Sequence, residues 1–225
     1  MSILLACFPC FLLIIYHYLV IVTFIRNLLI CNKKEVKMSV KNHLKKMSND
    51  INESLKNISV QDITWKQLND ICKIVSKSTS KISLNKNINI PFGRYLVFKN
   101  SNFNIQLDIF SQDYVGAPHN HETWGVMCGI SGDLGITDYI KTNGHLEIIR
   151  KGILNSGSVM AFTKENDWHS TETFNGDQVA SFHVYGPNFD IDFGYKFDKK
   201  NGIEKYKRGK LHQYTTSSNI LLIGD

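Results

Sequence analysis

The chain has 225 residues, 43% of them hydrophobic and 20% charged, enough to bury one sizeable core with a short extension to spare. Of its net charge of +6, half falls in residues 1–37, where Arg26, Lys33, Lys34 and Lys37 outweigh Glu35. With no dense basic stripe carrying interleaved aromatics, nucleic acid is excluded as the expected partner. The five cysteines (Cys7, Cys10, Cys31, Cys72 and Cys128) are odd in number and scattered, which excludes a disulfide framework and favours a reducing, cytoplasmic compartment.

From Ile3 to Ile25 no residue is charged. That run is long enough to span a bilayer, and positive charges follow only its C-terminal side, an arrangement that would keep the rest of the chain in the cytosol. The competing expectation is an over-extended start, because Met38 and Met47 each open a hydrophilic, helix-like sequence. Cys7-Phe-Pro-Cys10 has the spacing of a redox motif but lies inside the apolar run, and is read as apolar filler.

Residues 38–86 read as helical. Leu44, Met47, Ile51, Leu55 and Ile58 recur at helical spacing, as do Leu68, Ile71, Cys72 and Val75, with Asp62 or Thr64 able to cap the second helix. Ser76–Asn89, rich in Ser, Lys and Asn, reads as a linker. From Pro91 the texture changes to short β-rich runs at Tyr95–Phe98, Asn104–Phe110, Gly125–Ile130, Gly135–Tyr139, Leu146–Arg150, Ser158–Phe162, Gln178–Tyr185 and Ile191–Phe197. Turn signals such as Asn143-Gly144 and Asn155-Ser156-Gly157 separate them. Ile220–Ile223 is expected to add a last strand. Many short strands after a small helical preface predict an all-β fold, a closed or double-sheet antiparallel barrel. The expected organisation is therefore a hydrophobic segment 1–37, a helical preface 38–90 packed on the barrel, and the barrel itself at 91–225.

Chemistry concentrates in Pro118-His119-Asn120-His121-Glu122-Thr123-Trp124-Gly125 and Asp167-Trp168-His169, followed by Ser181-Phe182-His183-Val184-Tyr185. Two histidines spaced by one residue on a strand share a face. With His169 arriving from a distant strand, His119 and His121 make three neutral nitrogen ligands for a divalent metal and leave other positions open. The remaining histidines outside this region, His17, His43, His145 and His212, read as ordinary surface or core residues. Trp124 reads as a pocket wall or core residue.

The pattern from Gly116 through Gly132 and from Gly157 through His169 resembles the two motifs of the cupin superfamily, which implies a double-stranded β-helix, or jelly-roll, barrel. Counting forward from His121, the position of that motif's usual acidic ligand falls on Gly125, and Glu122 is expected on the opposite face. A cupin with three histidines and no carboxylate resembles the thiol dioxygenases, namely cysteine dioxygenase and its bacterial relatives acting on mercaptopropionate-type thiols. Ser181, His183 and Tyr185 are similar to that family's Ser-x-His-x-Tyr relay, and Arg94-Tyr-Leu-Val97 is similar to the segment whose arginine binds the substrate carboxylate. In animal cysteine dioxygenases a cysteine at the Gly125 position is cross-linked to the relay tyrosine; Gly125 excludes this, as in many bacterial members. Cys128, three residues along the strand, is expected on the other face. Some mercaptopropionate-type enzymes use an arginine a few residues beyond the tyrosine; here Lys196 comes first and no arginine precedes Arg208, which favours Arg94 as the anchor.

The resemblance implies Fe(II) held by His119, His121 and His169, a relay of Ser181, His183 and Tyr185, Arg94 on the substrate, and oxidation of a small carboxylate-bearing thiol by O2 to a sulfinic acid. The chain is expected to be a monomer with no nucleic-acid partner, touching a membrane only through residues 3–25. The alternative is a non-catalytic metal-binding cupin serving as a small-molecule sensor or binding module.

Overall fold

The computed structural model describes residues 42–80, 82–84, 91–174, 178–187, 189–198, 200, 202–209, 211–213 and 222–223. The apolar run at residues 3–25 and the Cys7–Cys10 pair lie outside these. Among the described residues no helix is long and apolar enough to cross a membrane.

Helix α1 covers residues 42–54 and α2 covers Trp65–Thr79. In α1 the helical spacing does what it predicts, burying Leu44, Met47 and Ile51, with Leu55 just beyond. Asn57, at φ 65°, adopts the left-handed conformation that asparagine tolerates after the helix ends. Of the two expected caps for α2, Thr64 is the one used. Its hydroxyl accepts from the Gln67 backbone N–H, while the Gln67 side chain reaches back to the Thr64 N–H at 2.7 Å, a reciprocal capping box. The helix runs on to Thr79, so the stretch expected as linker from Ser76 is helical over its first turn: Val75 and Thr79 lie four residues apart on the buried face and hold it.

The strands are β1 (Ser83–Leu84), β2 (Gly93–Lys99), β3 (Asn104–Phe110), β4 (His119–Asn120), β5 (Gly125–Ser131), β6 (Asp133–Thr142), β7 (His145–Leu154), β8 (Val159–Phe162), β9 (His169–Phe174), β10 (Val179–Tyr185), β11 (Phe193–Asp198), β12 (Gly202–Lys207), β13 (Leu211–Gln213) and β14 (Leu222–Ile223). Twelve of them form two six-stranded sheets, ordered β13-β2-β3-β10-β5-β8 and β12-β11-β4-β9-β6-β7. Among the described strands only β13 pairs in parallel, with β2. Chain neighbours such as β4 and β5 lie in different sheets, so the chain winds back and forth between two facing layers: this is the all-β double-stranded β-helix. Residues Leu222 and Ile223 do form a strand, but it pairs with β1 in a separate two-stranded sheet rather than joining the barrel. The hairpin joining β6 to β7 turns on Asn143 and Gly144, both at positive φ, as a tight two-residue hairpin requires.

Alternation along the central strands of the first sheet explains how a barrel can have both a dry core and a polar interior. Ile105, Leu107 and Ile109 of β3, Val126, Cys128 and Ile130 of β5, and Ala180, Phe182 and Val184 of β10 all join one apolar cluster with Leu68, Ile71 and Val75 of α2. Full burial of each such aliphatic side chain contributes about 1.5–3 kcal/mol. The intervening residues, Asn104, Gln106 and Asp108 of β3 and Ser181, His183 and Tyr185 of β10, must then point the other way, into the barrel. Cys128 confirms the partition, because its Sγ lies 3.0 Å from Thr79 Oγ1 of α2, behind the sheet. Trp124 belongs to the same dry side, donating from Nε1 to the Val60 carbonyl at 2.7 Å.

Candidate metal centre

Strand β4 and the first residue of β9 pair His119 directly with His169. His121 lies one residue beyond β4, so the two-on-a-face argument holds at the end of a very short strand rather than within a long one. What fixes His121 is Asp167, whose Oδ2 accepts from the backbone N–H groups of His121 (2.9 Å) and Glu122 (2.6 Å). Glu122 sits at φ 57° and is exposed, so the chain turns sharply there and its carboxylate leaves the site.

One nitrogen from each of His119, His121 and His169 lies within 4.8 Å of the others, and this is the group among the described residues that can hold a metal ion. The donor set fits. Nδ1 of His119 donates to the Ala117 carbonyl at 2.9 Å, and Nδ1 of His169 to the Asp167 carbonyl at 3.0 Å. A carbonyl can only accept, so both rings carry their proton on Nδ1 and turn the Nε2 lone pair inward, the arrangement usual for metal-bound imidazole. Nε2 of His121 and Nε2 of His169 are 3.4 Å apart. Two metal–nitrogen bonds of roughly 2.0–2.1 Å meeting at about 90–110° span roughly that distance. Burial drives all three imidazoles towards the neutral form that ligation needs: His119 is pushed down to about 4, and His121 and His169 well below their ordinary value.

This has a consequence for stability. The unfolded chain takes up protons on these imidazoles near pH 6.5, while the folded, metal-free chain resists protonation down to about pH 4. Between those values the unfolded state binds more protons, so stability falls as pH falls. Asp167, raised by burial to about 7, and Asp108, also raised by burial, act with the opposite sign, but they are two carboxyls against four imidazoles once His183, lowered likewise, is included. Thermal unfolding of the metal-free protein is therefore expected at a lower temperature at pH 5 than at pH 7; the reverse order would contradict buried neutral imidazoles.

The second constellation adjoins the first. Ser181 Oγ lies 2.6 Å from His183 Nε2, and His183 Nδ1 lies 2.8 Å from the Tyr185 hydroxyl, all three side chains being buried. The Tyr185 ring meets His121 at 4.6 Å between centroids and stacks flat on Phe189 at 4.1 Å. Burial holds the Tyr185 hydroxyl well above its usual range, so it stays protonated, and pushes His183 down. Gly125 lies between Tyr185 and Phe162 in the register, and a Cβ there would come within 2.2 Å of Phe162 Cζ. The Phe162 ring thus fills the space that a cross-linking cysteine would need.

His119, His121, His169, His183 and Tyr185 open onto a cavity of about 470 Å³. Arg94 lines it from within β2. Its Nη2 donates to the carbonyls of Ile191 (3.0 Å) and Gly209 (2.5 Å), while Nε and Nη1 are buried without a partner. Three further residues were not singled out as functional by the sequence. Arg208 reaches the same cavity, its Nε donating to Phe193 O (2.8 Å) and its guanidinium lying 4.7 Å over the Phe189 ring. Its positive charge is one of the influences lowering the three histidines. Asp167 pins the His121 backbone. Asp108, from β3, places Oδ2 3.7 Å from His183 Nε2. The alternation Asn104-x-Gln106-x-Asp108 is a legible signal for an inward polar face; Arg208, in a basic tail, carries no such signal.

No protein-family model matches the chain, and no curated protein sequence matches it significantly. Among solved structures it is similar to a cupin superfamily protein from Desulfitobacterium hafniense DCB-2, at 10% identity over 45% of this chain and 84% of that one, with a TM-score of 0.35. It is similar also to an RmlC-like cupin family protein with a double-stranded β-helix fold from Methanocaldococcus jannaschii (12%, 47% and 88%, 0.37). A third is KdgF from Halomonas sp. (18%, 43% and 79%, 0.34).

Proposed function

We propose that this protein is a non-haem Fe(II) thiol dioxygenase that converts a small carboxylate-bearing thiol and O2 into the sulfinic acid. The observation that carries the reading is the unbroken hydrogen-bonded chain Ser181–His183–Tyr185 ending against His121 of the three-histidine cluster. His119, His121 and His169 would hold the iron; being neutral, they leave its full charge to favour an anionic thiolate. Iron bound there supplies a seat for the thiolate and the redox partner through which O2 is activated. The reaction balances without a further reductant: sulfur loses four electrons, O2 gains them, both oxygen atoms form bonds to sulfur, and the thiol proton is released.

The protein's own residues provide orientation. For the Tyr185 hydroxyl to donate into the cavity, its oxygen must accept from His183 Nδ1–H; His183 Nε2 then accepts from the Ser181 hydroxyl. The chain is closed at both ends, so the imidazole tautomer decides where the tyrosine proton points. Phe162 and Phe189 pack against His121, and Phe189 stacks on Tyr185. Arg94, with Nε and Nη1 unspent, would grip the carboxylate.

Arg94→Ala is expected to raise KM for carboxylate-bearing thiols by roughly 10- to 100-fold, the equivalent of losing a charged hydrogen-bonded pair, with a smaller change in kcat. Oxygen uptake by anaerobically Fe(II)-loaded protein across a panel of thiols tests the reading as a whole. Stoichiometric uptake with at least one small thiol is expected; no uptake with any would favour a metal-binding module without redox chemistry.

A further inference from the structure

The inward face of β3 and its neighbour β2 carry polar atoms that the relay and the histidine cluster leave unused. Gln106 and Asp108 are two residues apart on one face of β3, both more than nine-tenths buried, and both line the cavity. Gln106 spends its amide N–H on Asn104 Oδ1 at 2.8 Å, which leaves Oε1 without a partner; Asp108 Oδ1 has none either. Directly opposite Asp108 across the strand pair is Arg94, with Nε and Nη1 buried and unpartnered. Two acceptors thus stand beside two donors in one wall.

The obvious internal solution, Arg94 forked onto Asp108, is not taken. Arg94 Nη2 is committed to the carbonyls of Ile191 and Gly209, and the remaining guanidinium nitrogens make no hydrogen bond to Asp108. Buried polar atoms in native proteins are satisfied by protein, water or ligand. Burial raises the Asp108 carboxyl against the lowering charges of His183, Arg94 and Arg208, and a cationic partner at Oδ1 favours its carboxylate form. The complementary ligand carries a cationic N–H donor next to an anionic acceptor. Only the His183 ring separates Asp108 from Tyr185, so such a head group lies within reach of the reacting end of the cavity.

We infer that Asp108 Oδ1 and Gln106 Oε1 form an ammonium subsite beside Arg94, so that the ligand is a small molecule bearing an amine next to its carboxylate, with the amine bound by protein oxygens rather than left to solvent. The inference deepens the thiol-dioxygenase reading and, as a statement about substrate choice, rests on it; the subsite itself is testable without turnover.

Calorimetric binding of L-serine and of 3-hydroxypropionate, which differ by the amine and carry no thiol, separates the two. The wild-type protein is expected to bind serine 10- to 100-fold more tightly, the range for one charged hydrogen-bonded contact. Asp108→Asn, and independently Gln106→Met in case the first variant folds poorly, should bring that preference to within about 3-fold. In oxygen uptake the same variants should lose their preference for cysteine over 3-mercaptopropionate. Equal binding of serine and 3-hydroxypropionate by the wild type, or an amine preference that survives both substitutions, would overturn the subsite. A preference that the substitutions abolish, in a protein that oxidises no thiol, would uphold the subsite and sink the catalytic reading alone.

Discussion

His121→Ala is expected to lose its metal. His121 is buried, with ring contacts to Phe162, Tyr185 and Phe189 and its backbone held by Asp167. Its Nδ1 is buried with no partner, so in the metal-free protein this ring is a polar group without a full complement of hydrogen bonds. Its Nε2 faces His169 Nε2 at 3.4 Å within the cluster, and alanine removes that ligand atom. Affinity for Fe(II) should fall by more than the roughly 10- to 100-fold attached to losing a hydrogen-bond partner behind a ligand. The folded state of the metal-free variant should survive. Elemental analysis after anaerobic dialysis measures this, with His212→Ala as the control. His212 also lines the cavity but stacks on Tyr95, away from the cluster, and its replacement should leave the metal content unchanged. One equivalent of iron retained by His121→Ala would remove it from the ligand set.

Tyr185→Phe should do the opposite: keep the metal and lose the turnover. The ring and its stacking on Phe189 remain, so the wall beside His121 is preserved. What disappears is a protonated, buried hydroxyl positioned by His183. Removing a donor of that kind lowers kcat by about 100- to 1000-fold. His183 Nδ1 also loses its partner, at a cost of about 1–3 kcal/mol that a thermal melt would register. Full iron occupancy with kcat reduced at least 100-fold is the expected result. Unchanged kcat would mean that Ser181, His183 and Tyr185 form an ordinary buried polar network.

How much of this could be read from the sequence depends on what each residue's neighbours are. Strands β3, β5 and β10 are legible because their alternation is strong: one face meets the helices and is aliphatic, the other meets the cavity and is polar. Strand β9 is not legible as an alternating run. His169-Ser-Thr-Glu-Thr-Phe has no apolar alternation, since His169 and Thr171 face the cavity and the strand is held by pairing to β6 and, through His169, to β4. Strands β4, β12 and β13 are too short or too polar to announce themselves. The three histidines stand out because imidazoles at that spacing are rare without a task. Arg208 does not, since only the pairing of β12 with β11 brings a basic tail residue back over Phe189. Asp108 shows in the sequence only as an inward polar residue; its meaning depends on Arg94 and His183, which come from other strands.

The central claim is that both atoms of O2 end on the sulfur of a thiol bound at His119, His121 and His169. Incubation of Fe(II)-loaded protein with cysteine under 18O-labelled O2, followed by mass spectrometry of the product, tests it most directly. A sulfinate carrying two heavy oxygen atoms, formed by the wild type and not by His121→Ala, is expected. A sulfinate whose oxygens come from water, or consumption of thiol that ends only in disulfide, would contradict it.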